Sequence, residues 1–147
     1  MQAIHINTFE LEPVAQQQPQ RFQKVFLIDN NALDCLNNTA LLTRHDFSEE
    51  LEIFESATSA LNMLSGAKRL SEIPDMIFIN LNMPGMDGYT FLNSFNSLND
   101  FARKRCKIVV LDDDCNERDR QKCLMNRNVV QYFPKQLNDR MIEQFTN

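Results

Sequence analysis

The sequence predicts an α/β fold, a parallel sheet of five strands covered by helices on both faces. Two observations carry that expectation. Short, continuously apolar runs recur at Val25–Ile28, Met76–Ile79 and Ile108–Leu111, with Leu51–Glu55 and Val129–Phe133 as more mixed members of the set. Runs of this length without polar alternation suit strands buried on both faces, as in parallel sheets. Each run is followed by a segment with apolar residues at helical spacing, and strand–helix alternation is the pattern of a layered α/β domain.

The chain has 147 residues, which fits one domain with a short appendage. Its 43% hydrophobic and 24% charged content is ordinary for a soluble globule. A net charge of -5 argues against a nucleic-acid partner, which selects for basic excess. No apolar run reaches the ~18 residues of a membrane span. The first residues lack the charged and apolar blocks of a signal peptide, so a cytoplasmic location is expected. Cys35, Cys106, Cys115 and Cys123 form no C-x-x-C pair, and His5 and His45 lie far from them in sequence. Thiols in a reducing compartment are expected rather than zinc ligands or disulfides.

Residues 1–22 are expected to form a flexible extension, with the domain at 23–147. Gln16–Gln20 is polar and has no apolar period, so it buries too little to offset its ordering entropy. Ile4, Ile6, Phe9 and Leu11 offer the alternative of a short strand or docking segment within it.

The first buried strand is Val25–Ile28, ending in Asp29-Asn30-Asn31, where an Asn caps the next helix. That helix is expected to face inward through Leu33, Leu36 and Ala40, with Cys35 and Leu42 nearby. His45 at its end suits the helix dipole. Leu51–Glu55 reads as an edge strand. Ser56 opens a helix with Ala57, Ala60, Leu61 and Leu64 on one face, stopped by Gly66. Met76–Ile79 is the central strand. Pro84-Gly85 is turn chemistry, with Gly supplying positive φ, and Asp87 caps a helix carrying Phe91, Leu92, Phe95 and Leu98. The basic run Arg103–Lys107 reads as a solvated turn before the fourth strand, Ile108–Leu111, in preference to a nucleic-acid patch. A polar segment, Asn116–Lys122, gives a short, weakly anchored fourth helix. Val129–Phe133 is the fifth strand, and Leu137, Met141 and Phe145, with Ile142 beside them, mark the last helix.

The central stretch carries more than fold information. Asn80 ends a buried strand, where open α/β sheets place their chemistry. Leu81, Met83, Pro84, Met86, Asp87 and Gly88 match the strand-three motif of response-regulator receiver domains, Asp-Leu-x-Met-Pro-x-Met-Asp-Gly, and residues 23–146 resemble that family. The resemblance implies the flavodoxin-like (βα)5 fold with strand order 2-1-3-4-5. It also implies a phosphoacceptor pocket built from Asp29, Asn30, Asn80, Asp112 and Lys135. In the family the first motif residue is the acceptor Asp; here it is Asn80. Asn30 replaces the second acidic residue, Asp112 replaces a Thr or Ser, and Gln136 replaces the Pro after Lys135. Asp29, Lys135 and the aromatic switch position, Tyr132, match.

These departures predict a pocket with no catalytic group. An amide has no anionic oxygen for an acyl phosphate, and Asp112 accepts hydrogen bonds without donating one to a phosphoryl oxygen. Mg²⁺ binding is expected to be weak or absent, with Asp29 and Asn82 as residual ligands, because ligand charge supplies much of the affinity. Asp112 is expected either to pair with Lys135 or to point to solvent. The chain then reads as a stand-alone pseudo-receiver in phosphorelay signalling, not an enzyme, with no output domain after its last helix. Its partner would be a histidine kinase, phosphotransfer or output protein. The partner face would be the fourth helix, fifth strand and fifth helix, including Arg118, Arg120, Lys122 and Tyr132, and would also allow a homodimer. No membrane partner is expected. The alternative is a working phosphoreceiver using another carboxylate, Asp29 or Asp112, with Mg²⁺. A nucleotide- or flavin-binding reading fails on Asp29–Asp34, which has no Gly and adds negative charge where a phosphate would sit.

Overall fold

In the computed structural model, residues 21–146 are described; of the extension expected at 1–22, residues 1–20 lie outside them and Phe22 opens the first strand. Five strands, β1 (Phe22–Ile28), β2 (Ser48–Phe54), β3 (Met76–Asn80), β4 (Lys107–Asp112) and β5 (Val129–Pro134), form one parallel sheet in the order β2-β1-β3-β4-β5. This is the flavodoxin-like order. Six α-helices occur among the described residues: α1 (Ala32–Arg44), α2 (Ala57–Ser65), α3 (Gly88–Phe95), α4 (Asp100–Arg105), α5 (Glu117–Leu124) and α6 (Asp139–Glu143).

Side-chain alternation along the strands divides the core into two layers. Val25, Leu27, Met76, Phe78, Val109 and Leu111 pack with Leu41 and Leu42 of α1 and Ile142 of α6. Phe26, Ile28, Ile77, Ile79, Ile108 and Val110 face the opposite way, against α2, α3, α4 and α5. Both faces are covered, which is why the central strands read as unbroken apolar runs. Polar caps start the helices as expected at Asn31, Ser56 and Asp87, and Asn116 does the same for α5; each accepts from a backbone N–H one turn in.

Five elements differ from the expectation. Helix α1 buries Cys35, Asn38, Leu41 and Leu42, while Leu33 and Leu36 are 65% and 66% exposed and Ala40 also faces outward. A polar Asn on the inner face and two Leu on the outer one invert the apolar stripe. β2 begins at Ser48, three residues before the expected start, because its pairing with β1 runs down to Phe22↔Ser48. Helix α3 stops at Phe95, and Leu98 packs on the core from the following turn. The basic run is no turn: Arg103, Lys104 and Arg105 end α4, capped by Asn99 and anchored by buried Ala102. Their charges suit a helix C-terminus. The last helix is one short piece, with Leu137 before it and Phe145 after it, both still packed on the core.

The loop from β3 to α3 is fixed by two glycines. Gly85 has φ +79, the left-handed region expected of it. Gly88 donates to the Leu81 carbonyl at 2.7 Å, and a Cβ there would lie 2.8 Å from the Leu81 Cα. Gly88→Ala is therefore expected to destabilise the fold by about 1–3 kcal/mol through backbone overpacking, despite the ~1 kcal/mol that Ala gains in helix propensity. A denaturant titration reads the loss directly.

Candidate functional site

The strand register aligns the candidate residues before any side chain is considered. Ile28 pairs with Ile79, so Asp29 and Asn80 follow side by side. Asn80 pairs with Leu111, and Asp112 pairs with Pro134, immediately before Lys135. Four carboxyl-end tips thus meet at one edge of the sheet, flanking the point where the strand order reverses. Asp29, Asn80 and Asp112 are all buried, at 0%, 1% and 0% exposure. Asn30 is exposed at the mouth.

Two hydrogen-bonded groups fill this crevice. In the first, Asp29 Oδ1 accepts from the Asn31 N–H at 3.0 Å and from Asn80 Nδ2 at 3.2 Å, with Lys135 Nζ 3.8 Å away. The same Asn80 Nδ2 donates to the Asn82 carbonyl at 3.0 Å, and Asn80 Oδ1 accepts from the Asn82 N–H at 3.3 Å. Both partners of the nitrogen are pure acceptors, and the partner of the oxygen is a donor, so the orientation of the amide is fixed by its surroundings. Lys135 makes its closer contact with Asp34, at 2.8 Å. Asp29 Oδ2 is buried without a hydrogen-bond partner.

In the second group, Asp112 Oδ2 accepts from the buried Tyr132 hydroxyl, and Oδ1 accepts from Asn82 Nδ2 at 3.0 Å and the Asp114 N–H at 3.2 Å. Asp112 therefore neither pairs with Lys135 nor points to solvent, the two placements the sequence suggests. Lys135 is drawn to Asp29 and Asp34 on the β1 side, and Tyr132 reaches Asp112 from the neighbouring strand. Tyr132 is correspondingly buried, at 6% exposure, instead of lying on an outer face. Arg118, Arg120 and Lys122 are exposed on α5, and Lys122 Nζ sits 4.1 Å above the Tyr89 ring, a cation–π arrangement. Asp34 and the Tyr132–Asp112 bond escape the sequence reading. The available signal for Asp34 was its place in the first turn of the helix leaving Asp29.

The electrostatics follow burial. Burial raises the Asp29 pKa and outweighs the Asn31 N–H and the Lys135 charge, which lower it. Burial opposes the charge on Lys135, but the hydrogen bond to Asp34 and the field of Asp29 leave its pKa raised. Burial and the hydrogen bond to Asp112 push the Tyr132 phenol well above its ordinary value.

Class and family follow from this geometry. A doubly wound parallel sheet whose carboxyl-end crevice gathers acidic, amide and lysine side chains is a receiver-type fold. The family profile described as "Response regulator receiver domain" matches residues 25–147, and the chain belongs to that family. It is similar to a two-component response regulator from Cytophaga hutchinsonii, at 25% identity and a TM-score of 0.76 over 86% of this chain and 95% of that one. A receiver protein from Dyadobacter fermentans DSM 18053 shares 21% identity with a TM-score of 0.73, over 83% and 93% of the two chains. The receiver domain of sensor histidine kinase PA1611 from Pseudomonas aeruginosa PAO1, solved with magnesium in its cleft, gives a TM-score of 0.64 at 17% identity, over 84% and 96%. No curated protein sequence matches the chain. Among the described residues no helix is long and apolar enough to cross a membrane.

Two variants probe the crevice. Tyr132→Phe leaves Asp112 Oδ2 short of its donor and is expected to cost about 1–3 kcal/mol in urea unfolding. For Asp29, a folded-state pKa raised by burial above the ordinary aspartate value means that its contribution to stability is full below the unfolded pKa and lost as pH rises through the folded one. Asp29→Asn is isosteric and removes that penalty. It is expected to be more stable than the native chain at neutral pH, with the difference closing below about pH 4, as read by melting curves across pH.

Proposed function

We propose that this chain is a pseudo-receiver: a response-regulator receiver domain that takes no phosphoryl group at Asn80 and acts in two-component signalling through protein–protein contact. The orientation of Asn80 carries the reading. Its NH2 group is turned toward Asp29 and the Asn82 carbonyl, so the acceptor position presents donor hydrogens where acyl-phosphate chemistry needs a carboxylate oxygen. Asp112 adds a second obstacle, an acceptor where an incoming phosphate needs a donor.

The family resemblance implies Mg²⁺, and these residues suit it poorly. A hard divalent cation wants several anionic or carbonyl oxygens. Here Asp29 offers one unpartnered oxygen, an ammonium lies 3.8 Å from the other, and Asn82 turns its NH2 toward Asp112. The reading therefore includes no metal and no catalysis.

The partner is a signalling protein of the same pathway type, a histidine kinase, phosphotransfer or output protein, and it docks on the face of α5, β5 and α6. Exposed Arg118 and Arg120 and the Tyr89-stacked Lys122 supply recognition there. Tyr132, bonded inward to Asp112, holds the strand behind that face in one arrangement, so the face is displayed without a phosphorylation signal.

Intact-protein mass spectrometry after incubation with acetyl phosphate and Mg²⁺ tests the reading. The native chain is expected to gain no phosphoryl group. A stoichiometric, Mg²⁺-dependent gain would contradict it and direct attention to Asp29 or Asp112 as acceptor. An Asn80→Asp variant run alongside reports how far Asn80 alone is the block.

A further inference from the structure

A groove of about 710 Å³ lies at the end of the sheet opposite the crevice, between two unlike walls. One wall runs from the end of α4 into β4 and carries Arg103, Lys104 and Lys107; the other, from the α5–β5 turn, carries Met125, Arg127 and Val130. Amides fasten the walls to each other. Asn126 Nδ2 donates to Asn96 Oδ1 at 3.1 Å, which ties the turn to the end of α3. Asn128 Nδ2 donates to the Arg103 and Cys106 carbonyls, which ties the same turn to α4 and β4, and the Asn128 N–H donates to Asn126 Oδ1 at 2.9 Å. The groove is therefore formed before anything enters it, and a preformed site loses less affinity to ordering.

The one carboxylate among its lining residues, Asp100, is taken by Arg103. Lys104, Lys107 and Arg127 are exposed and have no carboxylate within ion-pair distance among the described residues. In a chain of net charge -5, three cations without counter-charge in one concavity select an anionic occupant. Met125 and Val130 beside them are 84% and 38% exposed, and covering them favours an occupant that is also apolar. A bare anion meets only the first requirement. A single-stranded nucleic acid is held by stacking on aromatic side chains, and no aromatic lines the groove. We propose that the groove binds an extended acidic segment of a partner protein, in which carboxylates alternate with apolar side chains. Alternate side chains of such a segment point to opposite sides, so its carboxylates meet Lys104 and Lys107 while its apolar groups cover Met125 and Val130. Arg127 adds to the positive field. The groove uses no residue of the crevice and none of Arg118, Arg120 or Lys122, so a failure to bind here leaves the pseudo-receiver reading untouched.

The test is an NMR titration of the full, isotope-labelled chain with a capped octapeptide of alternating glutamate and leucine. Saturable amide shifts are expected in residues 103–107 and 125–130, with binding that weakens as salt is added. Lys104→Glu with Arg127→Glu should weaken binding about tenfold. A capped octapeptide of alternating lysine and leucine should then bind the reversed chain, which a misfolded groove would not allow. Exchanging the leucines of the first peptide for serine should also cost about tenfold. Shifts scattered over the surface or centred on Arg118, Arg120 and Lys122 would overturn the proposal, as would affinity indifferent to the charge reversals or to the loss of leucine. Tighter binding of an oligothymidine at the same residues would assign the groove to nucleic acid instead. Self-association of the native chain that the two reversals abolish would assign it to a second copy.

Discussion

A carboxylate buried away from water must be held by donors, and Asp29 is the carboxylate around which this crevice is arranged. It sits at 0% exposure at the tip of β1. An aspartate at position 80 would place a second negative charge beside it, which folds tolerate when a cation or metal is shared between the two. Asn80 changes the problem. Its amide donates to Asp29 and closes the remaining bonds on the backbone of residue 82. Lys135 supplies the charge and is itself stabilised by Asp34. Asp29 Oδ1 is thus held by the chain's own donors, with one positive charge beside it.

The Asp112 group obeys the same constraint on the other side of the crevice. A buried carboxylate is satisfied by a phenol, an amide and a backbone N–H. Asn82 connects the two halves, since its backbone holds Asn80 and its side chain holds Asp112. The hydrogen bonds of both acidic residues thus meet at Asn82, and Tyr132 is tied into the same set of bonds.

Much of the fold was legible because burial on both sheet faces leaves a simple mark. Val25–Ile28, Met76–Ile79 and Ile108–Leu111 have no polar position, and they are the three central strands. Caps were legible for the same local reason: Asn31, Ser56 and Asp87 are short acceptors placed before helices. Helix α1 was misread because its inner face includes Asn38 and its outer face Leu33 and Leu36, so apolar character pointed the wrong way. Helix α4 was hidden by a basic run, although Asn99 and Ala102 were its cap and anchor. The residues of the candidate site were legible from the motif and the strand ends, but their pairing was not. Whether Asp112 meets Lys135 or Tyr132 depends on how side chains from four strands share one small space, and no spacing rule encodes that. Asp34 became visible only once α1 placed it over Lys135.

The proposal that most needs a direct check is that the crevice, held by its own hydrogen bonds, offers no seat for a divalent cation. The measurement is a Mg²⁺ titration followed by NMR, watching the side-chain amides of Asn30, Asn80 and Asn82 together with the backbone signals of residues 112–114. The account predicts Asn80 NH2 resonances displaced by their hydrogen bonds from the outset, and only small, non-saturating changes as Mg²⁺ is added. Saturable shifts centred on Asn80 and Asp29, with the Asn80 amide turning its oxygen toward the ion, would contradict it.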